Sequence, residues 1–199
     1  MITSADVLSF WFGESEDPFT APAENISLWF TKRDATDALI RDRFEDTILA
    51  AAAGRLDEWR QSPSSWIALI VLLDQFPRNI YRNTARAFAF DELAQRLSLN
   101  AIHAGIDKEL RPIERLFAYL PLEHAEDLAL QRRCVACFEA LRAEVPPEHA
   151  KSYDGYLTYA QRHLDIIERF GRFPHRNVAL GRDSTPEEEA FLQTPGSSF

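Results

Sequence analysis

Eight consecutive residues, WIALIVLL (Trp66–Leu73), are all apolar, so the rest of the chain has to cover every face of this segment whatever conformation it adopts. The run is far too short to cross a bilayer as a helix, which takes about 20 apolar residues. Ser62-Pro63 before it has the pattern of a helix N-cap followed by a first-turn proline. Phe76-Pro77 after it marks an end, because a proline ring disfavours helical geometry in the residue it follows. The sequence therefore predicts a central helix, buried on all sides, that stops at Phe76-Pro77 and around which the other elements pack.

Those other elements are written in helical periods. Ser4 and Asp6 open a short amphipathic segment ending near Gly13, and Glu14–Pro22 is an acidic, proline-bearing loop. Ala35–Ala53 carries Leu39, Ile40, Phe44, Ile48 and Leu49 on one stripe, with Gly54 as its stop. Ala87–Ala104 closes at Gly105, Pro112–Tyr119 breaks at Pro121, Ala125–Ala143 ends before Pro146-Pro147, and Pro147–Phe170 ends at Gly171. Thr185 and Glu188 have capping-box spacing around Pro186, and Glu187–Glu189 meet the positive end of the helix dipole. No segment alternates with period two. The predicted fold class is all-α, with antiparallel helical hairpins and no significant β-sheet, as one domain over residues 1–199. No clean tetratricopeptide signature recurs at about 34 residues.

Hydrophobic residues at 46% and aromatics at 12% supply a core and exclude a disordered chain. The formal net charge of −9 argues against nucleic acid or an anionic membrane as partner, since neutralising phosphate needs a basic surface. The cations are 19 Arg and 3 Lys. Arginine's planar fork suits carboxylate and phosphate, although a GC-rich genome gives the same bias. Met1–Phe12 lacks a basic start and carries Asp6 and Trp11, so no secretory signal is read and a cytoplasmic location is expected. Cys134 and Cys137 fall mid-helix and read as packed core thiols, not as a redox motif or half a zinc site.

Four blocks set charges among aromatics and prolines, which suggests polar groups held out of water. In LLDQFPRNIYR (Leu72–Arg82), Asp74 ends the apolar helix, where a carboxylate is costly unless paired. Arg78, Arg82 and Arg86 follow at four-residue spacing, and Asn79 begins a further turn; the arginines converge on Asp74, as a staple, or on an anion. ERLFAYLPLEHAED (Glu114–Asp127) holds Arg115, Glu123, His124, Glu126 and Asp127, a mixture suited to acid–base work or to helix capping. No metal-ligand spacing is present, so neither a metal nor another cofactor is expected. His163 lies on the stripe Tyr156, Tyr159, Ile166, Ile167 and Phe170, as a core histidine or as a neighbour of His124 or His175. RFGRFPHRN (Arg169–Asn177) presents Arg172, His175, Arg176 and Asn177 on a loop stiffened by Pro174, either to clamp a carboxylate or phosphate or to satisfy carbonyls at a helix end. The tail PGSSF (Pro195–Phe199) ends on an aromatic ring beside a free carboxylate, to dock in a pocket or to fray.

In this order, with VLSFWFGE (Val7–Glu14), TARAFAFD (Thr84–Asp91) and STPEEEAFLQTPGSSF (Ser184–Phe199), the blocks resemble the bacterial family catalogued as domain of unknown function 924. The resemblance covers nearly the whole chain and implies a tetratricopeptide-like helical fold; it implies no activity. Ala125 departs from the serine expected in a Leu-Glu-His-Ser-Glu form of its block, which counts against catalysis at that position. The reading of the residues is a protein that binds a small anionic molecule or the acidic end of a peptide through Arg78, Arg82, Arg172 and Arg176, with His124 and His175 as hydrogen-bonding partners. Asp74, Asn79, Arg115 and Asn177 complete the expected surroundings. One alternative is a hydrolase using Glu123 or Glu126 with His124 or His163. Another is a structural module that self-associates, as a homodimer, through exposed aromatics and the tail.

Overall fold

The computed structural model describes residues 2–198. In chain order the helices are α1 Ser4–Phe12, α2 Ala23–Phe30, α3 Asp34–Ala52, α4 Pro63–Ile70, α5 Phe76–Ile80, α6 Asp91–Ala104, α7 Pro112–Glu123, α8 Leu128–Ala143, α9 Ala150–Phe170 and α10 Pro186–Leu192. Short 3-10 turns join several of them, and no strand occurs among the described residues. The chain is all-α.

The apolar run lies where its composition demands. Ile67, Ala68, Ile70, Val71 and Leu72 are wholly inaccessible, and α1, α6 and α7 pack against α4. The hairpins follow from short connections and cross-helix pairs. Arg142 meets Asp154 and Arg132 meets Glu168, which sets α8 antiparallel to α9. Arg115 meets Glu144 while Cys134 Sγ lies 3.6 Å from the Tyr119 carbonyl, which sets α7 antiparallel to α8.

Two prolines do not end their helices as the sequence reading expects. Before Pro77 the chain widens into a π-helical turn over Val71–Gln75, with Phe76 N–H donating to Val71 O, and then continues as α5. A wider turn gives the proline ring room that a regular helix denies it, and Asp74 lies inside this turn. Helix α7 likewise runs through Pro121 to Glu123. The N–H that Pro121 lacks would have met Phe117 O, and the next two carbonyls gain donors from outside the helix: Ser98 Oγ reaches Ala118 O at 2.6 Å, and Cys134 Sγ reaches Tyr119 O. Burial of Phe117, Tyr119 and Leu122 on the same helix outweighs the proline's preference.

Helix α2 has no counterpart in the sequence reading, and Thr3, not Ser4, caps α1. On α3, Ile40, Phe44 and Ile48 face the core, whereas Leu39 and Leu49 lie on the exposed side, about a right angle from that stripe. The capping box at α10 forms as read, with Thr185 Oγ1 accepting from Glu188 N–H and Glu188 accepting from Thr185 N–H.

Candidate functional site

The π-helical turn, the end of α7, the middle of α9 and the loop after α9 bring a chain of polar side chains into the interior. Asp74, fully buried, accepts from Gln75 Nε2 at 2.6 Å and from Arg78 Nη2 at 3.2 Å, and His124 Nδ1 lies 2.8 and 3.0 Å from its two oxygens. Burial opposes ionisation of Asp74, but His124, Arg78 and Gln75 outweigh it and hold the carboxyl well below the usual carboxylate range. Burial and the Arg78 charge depress His124, whose Nδ1 sits between the Asp74 carboxylate and Arg78 Nε, 3.2 Å away. Arg78 Nη2 also donates to Asp91 at 2.9 Å, and Arg176 Nη1 lies 3.5 Å from the other Asp91 oxygen and 3.0 Å from His124 O. Burial lifts Asp91, and burial with the Arg78 charge lowers Arg176 to about 10. Phe88 and Phe173 hold the Arg176 guanidinium between them, at 4.7 and 4.4 Å. Two guanidinium groups thus face two carboxyls.

Beside this chain lies a cavity of about 330 Å³. Trp29 and Phe30 from α2, Phe117 and Leu120 from α7, and Tyr156 and Tyr159 from α9 form its apolar walls. Its polar lining includes Glu123 and Gln75, so the cavity touches the buried network at two points. The nearest cationic-type neighbour of Glu123 is His163 Nδ1, 3.4 Å from Oε1, and that nitrogen lies closer, at 2.9 Å, to Tyr159 O. Burial, then the Asp74 charge, pushes Glu123 up to about 8. Burial drives His163 down to about 3 and His175 to about 4, so both imidazoles are neutral at ordinary pH. Glu123 is therefore a buried, largely protonated acid on the wall of an apolar cavity, a pattern found at binding and catalytic sites.

The remaining candidates sit elsewhere. Arg82 and Asn79 both reach Asp37 at the start of α3, fastening α5 to that helix instead of converging on Asp74. Arg115 pairs with Glu144 and Tyr119, Arg172 with Glu188, and Glu126 with Arg182 and Phe173 N–H. Asn177 donates to Ser184 and Glu188. His175 stands near the central chain, its ring 5.6 Å from Phe173. In the tail, Gly196 O accepts from Arg162 Nη2 at 3.0 Å and Ser197 Oγ donates to Leu192 O, so this stretch folds back on α9 and α10; Phe199 lies outside the described residues. Among the described residues no three His, Cys, Asp or Glu side chains gather as metal ligands, and no helix is long and apolar enough to cross a membrane.

The family model described as "Bacterial protein of unknown function (DUF924)" matches residues 7–196. The chain belongs to the DUF924 family. A solved structure of a protein of unknown function from Agrobacterium tumefaciens, ATU0120, is 40% identical, covers 96% of each chain and superposes with a TM-score of 0.81. No protein with a curated description matches. In this DUF924 chain, sequence reasoning missed Asp91 and the aromatic wall. Asp91 closes TARAFAFD, where a carboxylate after two phenylalanines carries the same signature as Asp74. Trp29, Phe30 and Phe117 give no such signal, because their spacing resembles that of any packed helix.

Proposed function

We propose that the protein binds a small, mostly apolar molecule in the cavity between α2, α7 and α9, with Glu123 as its polar anchor. The observation that carries this reading is that Glu123, 4% exposed and facing the cavity, accepts no side-chain hydrogen bond from the described residues. Burying a carboxyl without donors is costly, and a bound molecule offering a donor offsets that cost. Thermal-shift screening of compact fragments tests it. Ligands that stabilise the native chain and lose that effect in Leu120→Trp, which fills the cavity, are the expected outcome. Hits indifferent to Leu120→Trp count against the cavity.

The grip on an anion through arginines is a second reading, and one observation favours it. Arg176 Nε is buried without a hydrogen-bond acceptor among the described residues, which marks where an anionic group would bind. Weighing against it, Arg78 and Arg176 are balanced by Asp74 and Asp91, and Arg82, Arg115 and Arg172 are each committed to a carboxylate. Stabilisation by inorganic phosphate that vanishes in Arg176→Gln would favour the anion. Acid–base catalysis by Glu123 and His163 is the enzymatic form of the cavity reading; it needs donors for developing charge, for which the lining offers the Ser152 and Tyr156 hydroxyls.

A further inference from the structure

The chemistry of the cavity ligand follows from how the protein treats its aromatic rings elsewhere, given that the cavity is a binding site. Arg43 lies over Phe10 and Phe44, Arg86 over Tyr81, Arg78 and Arg176 over Phe88, and Arg169 over Phe170 and Phe191, all between 4.0 and 5.7 Å. On the cavity wall itself Arg162 lies over Tyr159 at 5.2 Å, whereas among the described residues no guanidinium covers Trp29, Phe30, Phe117 or Tyr156, which also line it. The negative face of an aromatic ring attracts a cation, most strongly where water is excluded. The same wall carries a buried carboxyl with a neutral imidazole, not a cation, as its neighbour. Away from Tyr159, aromatic rings that no guanidinium covers and an acid whose neighbour is an imidazole make a receptor for positive charge, and the volume of about 330 Å³ suits a compact ligand.

We infer that the cavity binds an organic ammonium ion, with its charged head against the Glu123 carboxylate and its apolar body among Trp29, Phe117 and Tyr156. Where Glu123 holds its proton, binding breaks that O–H bond and delivers the proton to solvent, while the ammonium keeps its own hydrogens. Ligand and proton therefore compete for one site. The titratable groups around Glu123 are Asp74 from the π-helical turn, His124 beside it in sequence, Cys134 from α8, and Tyr156, Tyr159 and His163 from α9. Of these, Asp74 is the one whose charge perturbs Glu123, and it favours the protonated acid until a cation arrives.

Titration calorimetry on the full chain tests this with phenethylamine, phenethyl alcohol and hydrocinnamate, a cation, a neutral molecule and an anion of similar size. Near pH 8 phenethylamine is expected to bind about tenfold or more tightly than phenethyl alcohol. Towards about pH 6 its affinity is expected to fall about tenfold per pH unit, with about one proton released to buffer. Glu123→Gln is expected to erase the preference and retain the alcohol. The pH slope and proton release in the unaltered protein decide the matter if that variant fails to fold. Amine affinity that is flat with pH, or no tighter than the alcohol's, overturns the ammonium assignment while alcohol binding upholds the cavity. Silence from all three overturns both, and hydrocinnamate as the tightest ligand returns the site to an anion.

Discussion

Glu123, His163 and His175 make stability depend on pH in opposite directions. Glu123 titrates near 8 in the folded chain against a usual 4.5, so between those values unfolding releases a proton and stability falls as pH rises. His163 at about 3 and His175 at about 4, against a usual 6.5, leave the unfolded chain with more protons on the acid side, so stability falls as pH drops below 6.5. Each group contributes about 1.4 kcal/mol per pH unit across its window, so two histidines outweigh one carboxyl below 6.5 and Glu123 acts alone above it. From these groups the maximum lies near 6.5. Glu123→Gln is expected to flatten the alkaline side and be more stable than the parent at pH 8, as measured by denaturant unfolding across pH. Asp74 behaves otherwise: it is paired, and Asp74→Ala takes from Arg78 one of its two carboxylates and from His124 its neighbour while Asp91 remains, at a cost of about 1–3 kcal/mol. A midpoint shift equivalent to less than about 1 kcal/mol would show that the pair carries little. Asp74 is legible in sequence because a carboxylate after eight apolar residues demands a partner; Glu123 is less so, because its unusual state depends on a cavity formed by helices distant in the chain.

At the scale of the element, proline sets the terms for α5 and α7. Local preference says both prolines terminate helices, and the ends read at Phe76 and Tyr119 follow from that preference alone. Tertiary partners reverse it: Ser98 donates to Ala118 O beside Pro121, and the π-helical turn makes room at Pro77. Ser98→Ala is expected to destabilise by about 1–3 kcal/mol, because the buried carbonyl loses its extra donor. Hydrogen exchange should show that loss around Leu120–Glu123 first; uniform exchange would place the role of Ser98 elsewhere. Helix ends marked by glycine or by a capping box were readable, as Gly105, Gly171 and Thr185 show, because those signals act within a few residues. Helix α2 was not, since it has no side-chain cap and Asn25 and Trp29 are anchored by the carbonyls of Phe10 and Trp11.

At the scale of the molecule, ties run between segments far apart in sequence. Tyr153 donates to Phe19 O, Arg182 grips Glu126, and Arg172 holds Glu188. With such ties the chain is expected to unfold in one transition, tryptophan fluorescence and far-ultraviolet dichroism giving the same midpoint. Separate midpoints would show that the segment after α9 melts by itself. The all-helical class was legible from periodicity, whereas the meeting of Asp74, Arg78, His124 and Arg176 in one buried network beside a cavity was not, because periodicity fixes faces and leaves helix order in space open.

The π-helical turn has a consequence for how this stretch of chain can vary in length. A π turn holds one residue more than the α turn it replaces, and one residue of helix advances direction by about 100°. Removing one residue at 71–73 would close the bulge to a regular α turn and leave the flanking stretches in phase, so Arg78 would still face Asp74 and Asp91. The bulge therefore works as slack that takes up one residue of length, so this stretch should tolerate a single deletion at 71–73 but none within α5, where no bulge remains to absorb the turn of about 100°.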